Sequence, residues 1–163
     1  MEKGLDPMGL DPMGLDPMGL DLFDLLTQQF QLEDVDIRTY SPLALAYIGD
    51  GIYELVIRTI LIKQGNCPVN SLHKRASALV RAGAQSEMMR ALEPLLTQEE
   101  LKVYRRGRNA HPATMARHAT VTEYRRATGF EALMGWLYLM GRWERMIELM
   151  KIGVEHIYHP QVR

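Results

Sequence analysis

Residues 46–62 read AYIGDGIYELVIRTILI, an apolar run in which Asp50 stands between Gly49 and Gly51. A carboxylate in the middle of a mostly buried helix is costly unless a cap, an ion pair or a metal ion compensates it. Ser41 followed by Pro42 is a helix start, a capping side chain with proline in the first turn. Gln64, Gly65, Asn66 and Pro68 form the stop, so the run reads as one long helix from Leu43 to about Lys63.

Outward from that helix the pattern stays helical. Asn70 or Ser71 caps a following segment that carries Leu72, Ala76, Leu79, Val80 and Gly83 on one face and continues through Met88, Met89 and Leu92. TQEE at 97–100 resembles a capping box, with Glu100 three residues after Thr97. The helix it opens ends in the basic segment YRRGRNAHP. Residues 118–126 read as polar and basic, then GFEALMGWLYLMG forms a second strongly apolar helix closed by Gly141. Trp143 to Gly153 is a last amphipathic helix. Near the start, Phe23, Leu25, Leu26 and Phe30 fit a short helix or a docking arm. Period-two alternation bounded by hairpin signals is almost absent, so the expected class is all-α, an orthogonal assembly of uneven helices.

The two most apolar helices each carry one acid in the middle, Asp50 and Glu131, and Gly135 follows Glu131 by one turn on the same side. Glycine in a helix costs about 1 kcal/mol against alanine, and close approach of the two helix backbones is the simplest reason to keep Gly49, Gly51 and Gly135. Such packing brings Asp50 and Glu131 together, and facing carboxylates repel unless a proton or cation sits between them. A hard divalent ion, Mg²⁺, suits carboxylate oxygens and retained waters. Glu54, one turn after Asp50, completes the shell, orients a water, or forms an ordinary surface pair with Arg58. Lone helix acids also arise as caps, arginine pairs or residues at the solvent edge, and periodicity alone does not set the two helices side by side.

Between Lys102 and Arg126 lie seven basic residues and a single acid, Glu123. Arg105, Arg106, Arg108, Arg125 and Arg126 dominate, as suits bidentate phosphate recognition. With Lys74, Arg75 and Arg81 they form a candidate stripe along a nucleic-acid backbone. Only Tyr104 and Tyr124 interleave, which favours a duplex read by shape and phosphate over a stacked single strand. His73, beside Lys74 and Arg75, and His111, in the RGRNAH segment with Asn109, are candidate substrate contacts. No histidine pair has zinc-site spacing.

Composition narrows the rest. Residues 4–18 repeat GLDPM three times, an expression scar expected to stay disordered, and residues 1–21 are set aside with it. Without Lys3 and the acids at 2, 6, 11, 16 and 21, the 19 basic and 20 acidic residues become 18 and 15, a formal net charge of +3 on residues 22–163. That length suits one domain. The single cysteine, Cys67, excludes a disulfide framework or a CxxC metal knuckle. No apolar run reaches membrane-spanning length, and a soluble cytoplasmic protein is expected.

LALAYIGDGIYE and GFEALMGWLYLMG together resemble the two acid-bearing helices of ribonuclease III nuclease domains. With LHKRASALVRAGAQ and YRRGRNAH between them, the chain from Leu22 to about Val154 resembles the mini-ribonuclease III branch, which has no double-stranded-RNA-binding domain. The resemblance implies the all-α ribonuclease III nuclease-domain fold and a homodimer with an Mg²⁺-holding centre at each end of a valley for duplex RNA. It implies staggered cleavage of both strands, and the paired ends of precursor 23S ribosomal RNA as substrate. Asp50 and Glu131 take the places of the family's essential acids. Where larger relatives carry three further acids, this chain has Leu43, Ala46 and Thr128, so one firmly held ion is expected, with water, Glu54 or Thr128 in the remaining places. With no separate RNA-binding domain, affinity comes from the dimer valley or from a helper such as a ribosomal protein on the precursor. A non-catalytic duplex-RNA-binding protein of the same fold and a helical assembly protein are the alternatives.

Overall fold

The computed structural model describes residues 19–110 and 120–158. The GLDPM repeat up to Met18 lies outside them, as do His111, Arg117 and His118. Among the described residues all regular structure is helical, as the sequence predicts. The chain divides into two units, residues 1–36 and 37–163. The first contains α1 (Leu22–Gln29), whose N-cap is Asp21, its carboxylate accepting from the Asp24 N–H at 2.9 Å. Asp21, set aside with the repeat on sequence grounds, is therefore part of an ordered helix start.

The second unit is built from α2 (Pro42–Lys63), α3 (Val69–Val80), α4 (Ala82–Leu92), α5 (Gln98–Arg108), α6 (Val121–Leu139) and α7 (Trp143–Ile157). Ser41 caps α2 through a 3.1 Å bond from the Ala44 N–H, with proline at the first turn. The Thr97 capping box opens α5 with both reciprocal bonds present. Its Glu100 is buried because Arg145 of α7 reaches across to it at 2.8 and 2.9 Å. That guanidinium holds the Glu100 carboxyl below the usual range.

Several boundaries differ from the sequence reading. α3 starts at Val69 behind Pro68, with no side-chain cap, so Asn70 and Ser71 lie inside the helix and do not cap it, and α7 runs past Gly153 to Ile157. Segment 70–92 is two helices, broken at Arg81, whose backbone is extended (φ −62, ψ 152). The break re-aims α4 so that Gln85, Met88, Met89 and Leu92 all face inward. It also leaves carbonyls at the end of α3 without helical partners. The Tyr53 hydroxyl donates to the Leu79 carbonyl at 2.7 Å, and the Gln85 side chain to the Val80 carbonyl at 3.0 Å. A further difference is α6, which starts at Val121 and takes in residues 121–126 of the segment read as polar and basic, ahead of the apolar stretch. Thr120 and Glu123 form a second capping box there, a T-x-x-E signal legible in the sequence and masked by the arginines that follow.

α6 is the central helix, packed on α2, α4, α5 and α7, and ten of its residues are buried. Its contact with α2 is backbone to backbone. A Cβ placed on Gly49 would lie 1.7 Å from the Glu131 carbonyl oxygen, and one on Gly135 would lie 1.9 Å from that of Leu45. Gly51 has nothing within 4 Å, so close packing accounts for two of the three glycines and not for Gly51. Tyr53 and Phe130 extend the same contact edge to face, with ring centroids 5.0 Å apart.

Candidate functional site

The mutual approach of Gly49 and Gly135 places Asp50 and Glu131 beside each other at the α2–α6 crossing. Asp50 follows the glycine that touches the Glu131 carbonyl, and its charge acts directly on the Glu131 carboxyl. Burial, then the Asp50 charge, push Glu131 up to about 7, partly offset by a hydrogen bond from Gln85. Asp50, more exposed, is raised by its own partial burial and by Glu54. Each acid is thus held where ionisation is unfavourable until positive charge arrives. The donor set fits a hard cation, since it is all oxygen, has two carboxylates in mutual repulsion, and has close to it a buried amide oxygen, Oε1 of Gln85, without a partner among the described residues. Among the described residues no three His, Cys, Asp or Glu side chains gather into a larger cluster.

Glu54 is bonded to Arg58 at 2.8 Å, the surface pair open to it from spacing, yet remains close enough to raise Asp50. Thr128 is buried, and its hydroxyl donates to the Tyr124 carbonyl at 3.0 Å, so its proton stays within its own helix. Ala46 is buried in the core and Leu43 is exposed.

The basic candidates separate into two groups. Arg75 bonds the Gln64 side chain at 2.6 Å, and Arg108 lies 4.0 Å from the Glu93 carboxylate and over the Tyr104 ring. Arg81 lies against Gly83 near the Glu123 carboxylate, and Arg126 is half-buried, close enough to Tyr104 to act on its hydroxyl. By contrast, Lys74, Arg105, Arg106 and Arg125 are exposed and pair with no carboxylate among the described residues. Arg105 and Arg106 line a cleft of about 630 Å³ with Lys102 and Asn109, beside Pro42 at the start of α2. His73 lies instead in a mainly apolar cleft of about 330 Å³ between α2 and α3, with Arg58. His111 lies outside the described residues. The sequence reading passes over Gln85 altogether, because its contacts come from α3 and α6 and no local pattern marks it.

The raised Glu131 carboxyl makes stability depend on pH. Unfolded, it titrates near 4.5; folded and metal-free, near 7. Its contribution is therefore fully present below about 4.5 and is lost as pH rises through 7, a change of about 3 kcal/mol. Glu131→Gln cannot ionise. In EDTA it is expected to unfold at higher urea than the parent at pH 8, with the gap closing towards pH 4.5. A gap that does not vary with pH would contradict the buried, repelled carboxylate.

The Ribonuclease III domain family model matches residues 43–142, the span from the start of α2 to the end of α6. A Mini-ribonuclease 3 from Clostridium tetani is 47% identical over 120 residues, covering 73% of this chain and 80% of that protein. One from Enterococcus faecalis is 48% identical over 124 residues, covering 75% and 94%. A crystal structure of a Fusobacterium nucleatum protein superposes with a TM-score of 0.69 at 34% identity, covering 75% of this chain and 94% of that one. The fold around the Asp50–Glu131 crossing and these likenesses agree, and the chain belongs to the ribonuclease III family, on its Mini-ribonuclease 3 branch.

Proposed function

We propose that this protein is an Mg²⁺-dependent endoribonuclease that cuts both strands of duplex RNA as a homodimer, and that its substrate is the paired ends of precursor 23S ribosomal RNA. The observation that carries the reading is the Asp50–Glu131 pair, two carboxylates forced together by a glycine-to-glycine helix crossing and left without a basic partner among the described residues. Asp50 and Glu131 would hold the ion. When bound, Mg²⁺ would supply polarisation of the phosphodiester and a water made nucleophilic at neutral pH. The chain's own part is to fix the carboxylates on two rigid helices and to hold phosphates with Lys74, Arg105, Arg106 and Arg125. In-line attack then leaves a 5′-phosphate and a 3′-hydroxyl. Glu54, anchored by Arg58, adds negative charge beside Asp50 and strengthens the field for the cation.

A flank of α2 supports the homodimer. Leu43, Tyr47, Leu55 and Ile62 fall within one 120° arc of the helix, and the last three are 83%, 53% and 54% exposed. The Glu54–Arg58 pair lies in the same arc, so the flank is apolar with one ion pair set in it. Such a flank fits an interaction surface, and it runs beside Asp50, so two copies joined there bring two centres to one valley. No helix among the described residues is long and apolar enough to cross a membrane.

The test is a perfectly paired RNA labelled at both 5′ ends, incubated with Mg²⁺ or EDTA. Staggered cleavage of both strands only with Mg²⁺ supports the enzyme; duplex that shifts on a gel and stays intact supports the non-catalytic binding protein. Arg105→Glu and Arg106→Glu are each expected to weaken duplex binding and to flatten the plot of log affinity against log salt by roughly one unit for each phosphate no longer neutralised. Unchanged slopes would remove these two residues from the RNA surface.

A further inference from the structure

Gln85, in the first turn of α4, is 0% exposed among methionine and leucine neighbours of the same helix. A buried primary amide carries two N–H donors and a carbonyl acceptor, and buried polar groups are nearly always paired. One N–H serves the Val80 carbonyl at the end of α3, 3.0 Å away, and the side chain also bonds the Glu131 carboxylate. Oε1 has no partner among the described residues. An unpaired buried acceptor is costly, and a methionine of similar length would fill the same space without that cost. Once an ion is held between them, the carboxylates nearby are ionised and have no proton to offer. A hydrated cation does, through its waters.

We infer that Gln85 is a positioning residue: its N–H groups brace the Glu131 carboxylate against the end of α3, and its Oε1 accepts a hydrogen bond from a water of the divalent ion's shell. The inference rests on the reading of Asp50 and Glu131 as the ion-holding pair. Groups that orient metal ligands and their waters typically contribute ten- to a hundredfold to metal affinity. The role also ties the extended break at Arg81 to chemistry, because only that break turns the first residues of α4 towards α6.

The experiment is Mn²⁺ binding followed by electron paramagnetic resonance on the full chain without RNA. It compares the parent with Gln85→Met, Gln85→Leu and Gln85→Asn, with Asp50→Asn and Glu131→Gln as references and circular dichroism to verify folding. Gln85→Met and Gln85→Leu are expected to bind Mn²⁺ about ten- to a hundredfold more weakly, with duplex affinity in EDTA unchanged and cleavage recovering as Mg²⁺ is raised. Gln85→Asn, which keeps the amide but draws it back by one methylene, is also expected to bind Mn²⁺ more weakly than the parent. Parental Mn²⁺ affinity in a folded methionine, leucine or asparagine variant overturns the role of Gln85 alone. Parental affinity in Asp50→Asn and Glu131→Gln overturns the ion-holding pair itself. If the leucine and methionine variants do not fold, the asparagine variant decides.

Discussion

Asp50→Asn and Glu131→Gln are each expected to reduce cleavage of paired RNA by about a thousandfold or more while duplex binding in EDTA stays within about twofold of the parent. Each substitution keeps the shape of the side chain and removes one of two charges facing the ion. The raised Glu131 carboxyl makes the experiment unusually clean. At pH 8 without metal, Glu131→Gln relieves repulsion and burial of charge, so the inactive variant is expected to be the more stable protein. Loss of activity in a protein that unfolds at higher urea cannot be attributed to misfolding. Either substitution also takes one negative charge away from the RNA, so phosphate repulsion does not rise. If cleavage falls only in step with binding or with folding, Asp50 and Glu131 are structural acids and the enzyme reading of this crossing fails.

Gly49→Ala and Gly135→Ala are expected to destabilise the protein by more than about 3 kcal/mol, beyond the usual range for an overpacked core. The added methyl would meet a backbone carbonyl at 1.7 Å in the first case and 1.9 Å in the second. Backbone does not swing aside as a side chain does, so α2 and α6 must separate, with loss of packing around Tyr53 and Phe130. Helix propensity predicts the reverse sign, a gain of about 1 kcal/mol. Gly51→Ala, with open space around it, is expected to show that gain. Urea unfolding of the three variants decides the matter, and Gly49→Ala as stable as Gly51→Ala would exclude the backbone contact. Whatever fraction of Gly49→Ala folds has the Glu131 carbonyl displaced, and with it the carboxylate one side chain away, so its cleavage should fall further than its folded fraction.

The helical class, the capped starts at Ser41 and Thr97, the stop after Lys63 and the two acids were all legible in the sequence. They depend on groups within four residues of each other, or on the bare presence of a charge in an apolar run, and motif resemblance supplied the family on the same residues. The early start of α6 was equally local, written in Thr120 and Glu123. The break at Arg81 was not, because the Leu79 and Val80 carbonyls it exposes are satisfied by Tyr53 and Gln85, one of them 26 residues distant.

The same division runs through the site. Sequence alone determined which residues carry charge and that two helices each hold one buried-looking acid. Tertiary structure decided that Gly49 and Gly135 make the crossing while Gly51 stands free, and that Arg75 and Arg108 are engaged within the protein while Arg105 and Arg106 are open. It alone brought Gln85 to Glu131. Spacing along a helix fixes which side a residue occupies, but which neighbour that side meets depends on how six helices share one core, a long-range packing outcome that no window of local sequence contains.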